Sequence, residues 1–412
     1  MQYALFEEVE ELPVYKNFLP TIKKIKGGTP KINEWDIPHT IGQLSYLVHS
    51  HYRYYGKFPS VVAGQILEQF APPSSNHYVL DNFCGSGTTL VEAKLRGINS
   101  IGLDISWLSV LASNVKVSNI STKTVLNIHN KLTLDFLKER IKTNPVEDNF
   151  ATKWFTSEAT LDLTTLRRLI LNIPKSCERD FLTTAFLAII RRVSKAYDGE
   201  VRPHINKEKK GRDVLSAFTK KVKDMCHDHD QFLELASKSA KAECILGNNL
   251  ELPEKLNDKR CYLVISHPPY LNSFNYSPVY NLEYYWGKPF ELETSNSHEI
   301  QLHKKELKAH PADLSITKKY FDHLTQCYSE TFRIQSKGGI LAVVIGDCTR
   351  NKEVVPVVNE TISRVKSLGY KNVEINYRTT HYGLGKYAYK HRADYHGEEA
   401  EKKDAIIIFE KP

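Results

Sequence analysis

The sequence lacks the patterns that would place the chain in a membrane or hold it together with disulfide bonds. No apolar run approaches the roughly 18 residues that cross a bilayer, and the acidic opening stretch, MQYALFEEVEELPVYKNF, has no signal-peptide pattern. The seven cysteines are scattered and form no CxxC pair, which argues against a disulfide scaffold and against a zinc ribbon. We therefore expect a cytoplasmic protein with reduced thiols and no membrane partner.

Internal repeats, low-complexity tracts and a convincing metal-ligand pattern are also absent from the sequence. The stretch DMCHDHD at 224–230 contains suitable residue types, but they lie too close together to share one face of a helix. We expect a solvated helix surface there and no bound metal. The formal charge of the chain is +8, which permits a polyanionic partner such as a nucleic acid.

Seven short apolar stretches have the composition of strands in a parallel sheet that is covered on both faces, because apolar and polar residues rarely alternate in them. Helical patterns lie between several of them. Strands that alternate with helices predict an α/β fold with a doubly wound, mostly parallel, seven-stranded sheet. The expected strands are 77–83, 98–105, 242–248, 261–267, 338–347, 372–379 and 404–410, and the expected helices include 88–97, 107–118, 315–339 and 356–370.

Residues 117–241 interrupt this alternation, because their pattern is helical throughout. We interpret this block as a large helical insertion in the sheet domain. The sheet domain then consists of residues 51–116 and 242–412, which the insertion separates along the chain. Residues 1–50 are expected to form an irregular lead-in.

A glycine-rich loop, LDNFCGSGTTLVEA at 80–93, joins the first expected strand to the first helix. Gly85 and Gly87 let the backbone bend and let a ligand approach without meeting a Cβ atom, and Thr88 or Thr89 could cap the helix. A tight structural turn would explain the glycines equally well. Asp104 favours a ligand, because it ends the next strand where nucleotide-binding folds place an acid against ribose hydroxyls.

The ligand of this loop is expected to be neither NAD nor ATP. The spacing GSG differs from the GxGxxG of dinucleotide enzymes, and no GK[ST] follows as in a phosphate-binding loop.

A second unusual stretch, CYLVISHPPY at 261–270, is an apolar strand that ends in a histidine, two prolines and a tyrosine. Prolines stiffen a turn and present carbonyl acceptors without donors, and Tyr270 offers a flat face for stacking. These parts suit a planar base with an exocyclic amino group, whose hydrogens the Pro268 carbonyl and a neutral His267 nitrogen could accept. Such a base must first leave its stack. The alternative is a rigid loop around a packed tyrosine.

Together the two motifs resemble those of the DNA amino-methyltransferases, which modify cytosine-N4 or adenine-N6 with S-adenosylmethionine. The family signatures are D-x-F-x-G-S-G-T-T and [D/N/S]-P-P-[Y/F], and here they read DNFCGSGTT and HPPY. The resemblance covers about residues 51–118 and 242–412 and implies a Rossmann-like methyltransferase fold, with a cofactor half before the insertion and a target-base half after it. Further similar stretches are YYGKFPSVV at 54–62, GLDIS at 102–106 and ILGNNLEL at 245–252.

The resemblance implies a role for each matched position. S-adenosylmethionine would be the cofactor, with Asp104 at its ribose and Asn248, where the family often has aspartate, near its adenine. The four residues of the proline corner, His267, Pro268, Pro269 and Tyr270, would grip the target base, and the sulfonium methyl would pass in line to the amino nitrogen. The remaining cofactor-binding positions would be Lys57, Phe58, Pro59, Asp81, Phe83, Gly85, Gly87 and Thr88.

His267 departs from the family pattern, which has serine, aspartate or asparagine at that position. An imidazole nitrogen accepts a hydrogen bond only when the ring is neutral. If His267 keeps the usual pKa of roughly 6.5, activity should fall in mild acid. A rate that stays flat from pH 6 to pH 8 would then argue against a direct acceptor role.

The expected reaction is methylation of double-stranded DNA at cytosine-N4, because an uncharged acceptor replaces the family's serine more naturally than its carboxylate. Adenine-N6 methylation, RNA guanine-N2 methylation and a non-catalytic nucleic-acid binder on the same fold remain alternatives. The resemblance extends to restriction–modification systems, in which a cognate restriction endonuclease acts separately. The insertion is a candidate DNA-recognition region, and the basic stretches 191–212, 302–310 and 377–392 are candidate phosphate contacts.

Overall fold

The architecture comes from a computed structural model that describes residues 13–40, 42–146, 148–258, 260–351, 353–378 and 404–412. Within these residues, nine strands form one sheet and two more form a small hairpin. The strands are β1 Thr21–Lys26, β2 Lys31–Asp36, β3 Tyr78–Asp81, β4 Ser100–Asp104, β5 Ala242–Leu246, β6 Cys261–Ser266, β7 Gln335–Gly346, β8 Cys348–Arg350, β9 Glu353–Val355, β10 Lys371–Arg378 and β11 Asp404–Glu410.

The sheet order is β1-β2-β10-β11-β7-β6-β3-β4-β5. Strands β7, β6, β3, β4 and β5 run parallel to one another, whereas β11 is antiparallel to both of its neighbours. This arrangement confirms the predicted mostly parallel sheet. The carboxyl ends of β3, β4, β5 and β6 therefore meet along one edge, which is where open α/β sheets bind ligands.

Helices cover both faces of the sheet. One face packs under α1, whose valines and Ile66 contact β3, β6, β7 and β11, and the opposite face packs under α11 and α12. No described helix combines the length and the apolar character that a bilayer crossing requires. The helices are α1 Ser60–Phe70, α2 Thr88–Leu95, α3 Trp107–Val117, α4 Thr122–Arg140, α5 Asn149–Trp154, α6 Ser157–Leu171, α7 Cys177–Val193, α8 Val214–Leu235, α9 Tyr276–Val279, α10 Asn281–Thr294, α11 Leu314–Ile334 and α12 Val357–Ser367.

The sheet has two strands more than the seven expected, and both lie in the segment expected to be irregular. Strand β1 is TIKKIK and β2 is KINEWD, so neither contains the apolar run by which buried strands are recognised. All six residues of β1 are exposed, because it forms the edge of the sheet. Strand β2 extends the sheet by pairing in parallel with β10.

The predicted helix at 315–339 is too long by five residues. Helix α11 ends at Ile334, and β7 begins at Gln335 and includes the paired glycines. Gly338 has a φ of +70°, and its N–H donates to the carbonyl of Lys411 beyond β11. The glycines thus belong to the start of the strand instead of ending the helix.

The helices α4 to α8 lie between β4 and β5 in the chain. Their apolar faces share one core with α3 and α10, which includes Phe186 from α7 and Trp286 from α10. Helix α10 follows the proline corner, so this shared core joins the helical block to the segment that leaves that corner.

Candidate active site

A pocket of about 1030 Å³, its open mouth included, lies at the carboxyl ends of β3, β4, β5 and β6. The glycine loop and the proline corner, which are far apart in the sequence, both line it. Eight of the residues singled out in the sequence contribute to its wall: Phe58, Phe83, Gly85, Thr88, Asp104, Asn248, His267 and Pro269.

Four of the expected cofactor residues lie behind the wall. Asp81 is buried at the end of β3 and accepts a hydrogen bond from the N–H of Phe83 at 3.1 Å. Gly87 is the residue before α2, and Pro59 is the residue before α1. The ammonium of Lys57 donates to the carbonyl of His49 at 3.1 Å, and burial lowers the pKa of Lys57 to about 8.

Asp104 ties the glycine loop to the second strand. One carboxylate oxygen accepts the N–H of Gly85 at 2.7 Å, and the other accepts the N–H of Ser106 at 2.8 Å. Burial nevertheless raises the pKa of Asp104 to about 6 and that of Asp81 to about 7, because both carboxyl groups are removed from water. A ligand that brings hydroxyl donors would favour the ionised form of Asp104.

Both glycines of the loop occupy positions where a side chain would strain the backbone and come too close to neighbouring residues. Gly85 has a φ of +52°, and a Cβ there would lie 3.0 Å from the Tyr54 ring. Gly87 has a φ of +78°, and a Cβ there would lie 2.8 Å from the hydroxyl oxygen of Ser113. Gly87 itself stands at the start of α2 without a side-chain cap, so the expected cap by Thr88 or Thr89 is wrong.

The proline corner is held by two buried tyrosines of α11. The hydroxyl of Tyr320 donates to the carbonyl of Pro269 at 2.8 Å, and the hydroxyls of Tyr328 and Ser266 lie 3.4 Å apart. Pro268 is buried and does not line the pocket. The turn is thus stiff for two reasons, the prolines themselves and the helix behind them.

His267 lies between two aromatic rings. Its ring stacks on Phe58 with centroids 4.9 Å apart and meets the edge of Tyr270 at 5.3 Å. Burial, with a smaller contribution from Arg378, lowers the pKa of His267 to about 4. The ring is therefore neutral from pH 6 to pH 8. Protonation of His267 would not cause the loss of activity in mild acid that its usual pKa would predict.

Asparagines fix the segment that leaves the corner. The side-chain amide of Asn275 donates to the carbonyl of His310 at 3.1 Å and accepts the N–H of Ala309 at 3.3 Å. Asn272 makes the same kind of contact with the N–H of Ala312 at 3.3 Å, and it also donates to the carbonyl of Thr349 at 2.7 Å. The asparagines of the stretch LNSFNY therefore join the corner to residues 309–312.

Aromatic residues that the sequence reasoning left without a role form another wall of the pocket. Tyr54 stacks on Tyr276 and Tyr280 with centroids 5.8 and 5.4 Å apart. Tyr284 stacks on His303 at 3.8 Å with the rings nearly parallel, and its hydroxyl lies 2.7 Å from that of Ser106. The tyrosine-rich stretches HYRYYGK and NYSPVYNLEYYW carried this signal, because aromatic residues are dense in both.

The chemistry of the pocket fits S-adenosylmethionine. Its wall contains buried polar atoms that have no hydrogen-bond partner among the residues that the structure describes, namely both amide atoms of Asn82, the hydroxyl of Ser86 and the side-chain oxygen of Asn249. Burying such atoms costs free energy of folding unless a ligand or a water molecule forms hydrogen bonds with them. A ligand with an amino acid end, a sugar and a base offers both donors and acceptors, and the tyrosine wall offers flat apolar surface.

The stretch 224–230 differs from the solvated helix surface that its sequence predicts. Within the described residues, no group of three or more histidine, cysteine, aspartate or glutamate side chains could hold a metal ion. His229, from the stretch 224–230, is buried instead of solvated and lies 3.1 Å from the carbonyl of Ser118. Most of the basic stretch 377–392 lies outside the described residues.

Comparison with known proteins points to one family. A family model described as DNA methylase matches residues 21–113. The type II methyltransferase M.MvaI of Kocuria varians is 24% identical over 225 residues, which cover 51% of this chain and 49% of that protein. The type II methyltransferase M.BsoBI of Geobacillus stearothermophilus is 22% identical, over 98% of this chain and 92% of that protein.

A solved structure with detectable similarity is a putative DNA modification methylase from Thermus thermophilus in complex with S-adenosyl-L-methionine. It is 18% identical, covers 40% of this chain and 54% of that one, and superposes with a TM-score of 0.25. The family match and the two curated relatives confirm the resemblance carried by the two motifs. The chain is similar to the S-adenosylmethionine-dependent N4/N6 DNA methyltransferases.

Proposed function

We propose that the protein transfers the methyl group of S-adenosylmethionine to the exocyclic amino group of a base flipped out of double-stranded DNA. The observation that carries this proposal is that the glycine loop, Asp104 and the proline corner line a single pocket. A cofactor held at the first two and a base held at the third would share one enclosed space. Because a base inside a duplex cannot reach such a pocket, the target must leave its stack.

The cofactor half of the pocket would be formed by residues of three strand ends. Asp104, with its half-buried carboxylate, would accept the ribose hydroxyls, and Asn248 would lie near the adenine. Phe58, Phe83, Gly85 and Thr88 would line the rest of the cofactor. Asp81, Gly87, Lys57 and Pro59 would act indirectly, by fixing the loop and the start of α1. When bound, S-adenosylmethionine supplies an electrophilic methyl group on a sulfonium.

The proline corner would orient the amino group of the base. A neutral His267 nitrogen and the Pro268 carbonyl would accept its two hydrogens, while Tyr270 would stack on the ring of the base. Pro269 lines the pocket and its carbonyl accepts from Tyr320. A carbonyl oxygen has two lone pairs, so this one can accept from a ligand as well. Acceptors on the amino hydrogens draw the nitrogen towards tetrahedral geometry and free its lone pair for the methyl carbon.

Cytosine-N4 is the proposed target, with adenine-N6 as the alternative. The first residue of the corner is uncharged in this protein, because burial lowers the pKa of His267 to about 4. An uncharged acceptor matches the serine of the cytosine-N4 pattern better than the carboxylate of the adenine-N6 pattern. The proposed preference rests on this position alone.

The helical insertion is the proposed DNA-recognition region. Arg191 is buried and donates to the carbonyls of Glu200, Val201 and Val279, so it fastens a loop of the insertion beside the tyrosine wall. The exposed cations of that loop are then free to meet phosphates: Arg202, Lys207 and Lys210. The partner would be double-stranded DNA, with any cognate restriction endonuclease acting separately.

The deciding experiment is methyl transfer from labelled S-adenosylmethionine to unmethylated genomic DNA, followed by nucleoside analysis of the digest. We expect N4-methylcytosine. N6-methyladenine would keep the reaction and change the base. Label in total RNA as N2-methylguanosine, with none in DNA, would overturn the DNA proposal. Cofactor binding without any transfer would indicate a non-catalytic binder on the same fold.

A further inference from the structure

A buried ion pair lies beside the proline corner. Arg378 is the last residue of β10 and Asp404 is the first of β11, and the two are paired across the antiparallel ladder. Their side chains form an ion pair and are only 12% and 13% exposed. A buried ion pair is weak evidence for a role in stability, because the cost of removing two charges from water offsets their attraction. Its position therefore calls for a functional explanation.

The pair is in contact with the corner through Tyr270. Asp404 is also opposite Gly346 of β7, and a Cβ at Gly346 would lie 2.7 Å from an Asp404 carboxylate oxygen and 3.6 Å from the Tyr270 ring. The guanidinium of Arg378 pairs with Asp404 and also interacts electrostatically with the Tyr270 side chain, and both groups raise the pKa of Arg378. The absence of a side chain at Gly346 thus leaves the space in which Tyr270 packs against the pair.

The same pair sets the electrostatic surroundings of His267. The charged groups that act on this imidazole are Arg378 on β10, which lowers its pKa, and Asp404 on β11, which raises it. Phe58 and Tyr270 contribute the neighbouring rings. A cation close to a histidine disfavours the imidazolium. A buried arginine is therefore well suited to a corner that begins with histidine and needs a neutral acceptor.

We propose that the Arg378–Asp404 ion pair positions Tyr270 and His267 for the target base, which makes Arg378 a positioning residue of methyl transfer. This inference rests on the proposed function, since it concerns the same corner. It links the departure at His267 to a partner more than a hundred residues away. Burial keeps the histidine neutral, Arg378 offsets the opposing effect of Asp404 on it, and the pair holds the stacking tyrosine beside it.

The test compares three variants at saturating S-adenosylmethionine and DNA. Arg378→Met removes the cation and leaves Asp404 next to His267. We expect kcat at pH 8 to fall about tenfold, with the KM for DNA changed less than about threefold, and the acid limb of kcat to move up by about one pH unit or more. The double variant Arg378→Met/Asp404→Leu removes both charges. Its kcat at pH 8 should fall by the same factor, but the pH at which kcat declines in acid should stay at the wild-type value.

The double variant also addresses folding, because apolar replacement of a whole buried pair is better tolerated than loss of one partner. Arg179→Met is the matched control. Arg179 is similarly buried, pairs with Glu293 and contacts Phe290 instead of the corner, so its loss should leave kcat and the acid limb unchanged. Folded Arg378 variants with wild-type kcat and pH profile would overturn the inference. A wild-type protein that methylates no DNA would overturn the proposed function instead.

Discussion

The glycine loop and the proline corner meet in one pocket but are stabilised in different ways. The loop is held mainly by Asp104 and by Ser113 and Lys116 of α3, whose side chains donate to the carbonyls of Gly85 and Ser86. These residues lie within about 30 positions of the loop, and Asn249 adds one more distant contact. The corner is held by side chains that come from α11 and from the end of β10, the nearest of them Tyr320, 51 residues away. The loop therefore depends mainly on the strand and helix that follow it in the chain, whereas the corner depends on segments more distant in sequence.

Because of this difference, we expect mutations in the glycine loop and mutations near the proline corner to have different effects. A change in the loop should act on cofactor binding and on local backbone strain together, because the same atoms serve both. A change near the corner should alter the rate of transfer while leaving cofactor binding intact, because the supporting side chains lie behind the base site. Variants that fail to separate these two quantities would contradict the comparison.

The largest effect is expected from Gly87→Ala. A Cβ would lie 2.8 Å from the Ser113 hydroxyl oxygen at a φ of +78°, and strain and contact together should weaken cofactor binding about 100-fold or more. Calorimetric titration with S-adenosylhomocysteine measures this. Gly42→Ala is the control, because its Cβ would come no closer than 3.8 Å to Thr40. Wild-type affinity in the Gly87 variant would mean that the loop adjusts freely.

His267→Ala should show most clearly that the proline corner controls the rate of transfer and the glycine loop controls cofactor binding. Loss of an acceptor on the reacting amino group should lower kcat about 100-fold, while the cofactor Kd changes by less than about threefold. Single-turnover methylation and calorimetry measure the two quantities on the same preparation. A parallel loss of cofactor affinity would show that the corner and the loop are one unit.

Tyr320→Phe should give a smaller, similar effect. The variant keeps the ring in the core and removes only the hydrogen bond to the Pro269 carbonyl, so kcat should fall about tenfold and stability by about 1 kcal/mol. Tyr328→Phe is the matched control on the same helix, because its contact with Ser266 is longer at 3.4 Å. Equal losses in the two variants would indicate general softening of α11.

The smallest effect is expected from the insertion loop. Replacing Arg202, Lys207 and Lys210 together with glutamine should leave kcat unchanged and raise the KM for DNA a few-fold. The slope of log affinity against log salt should fall by about two to three, because three phosphate contacts are lost. Fluorescence anisotropy with a labelled duplex measures the slope. An unchanged slope would place DNA on another surface.

The sequence predicted the parallel part of the sheet because its strands are buried on both faces and therefore read as apolar runs, as in VLD of β3 and AIIIF of β11. It did not predict β1 and β2, whose residues are largely exposed or alternate in polarity. Eight of the residues named from the motifs line one pocket, whereas Pro268 and Tyr270 do not line it. Tyr284, His303 and Arg378 were not named, because their positions depend on packing between segments distant in sequence.

The pairing of β2 with β10 has a consequence for the order of folding. The amide of Asn33 hydrogen-bonds across this pair to a residue 341 positions later, so the hairpin of β1 and β2 is synthesised long before its place in the sheet exists. Contacts of such separation form slowly. Meanwhile both edges of the hairpin are open to intermolecular pairing, and the three lysines of TIKKIK oppose it by mutual repulsion. We expect these lysines to oppose aggregation of the nascent chain until β10 has been synthesised.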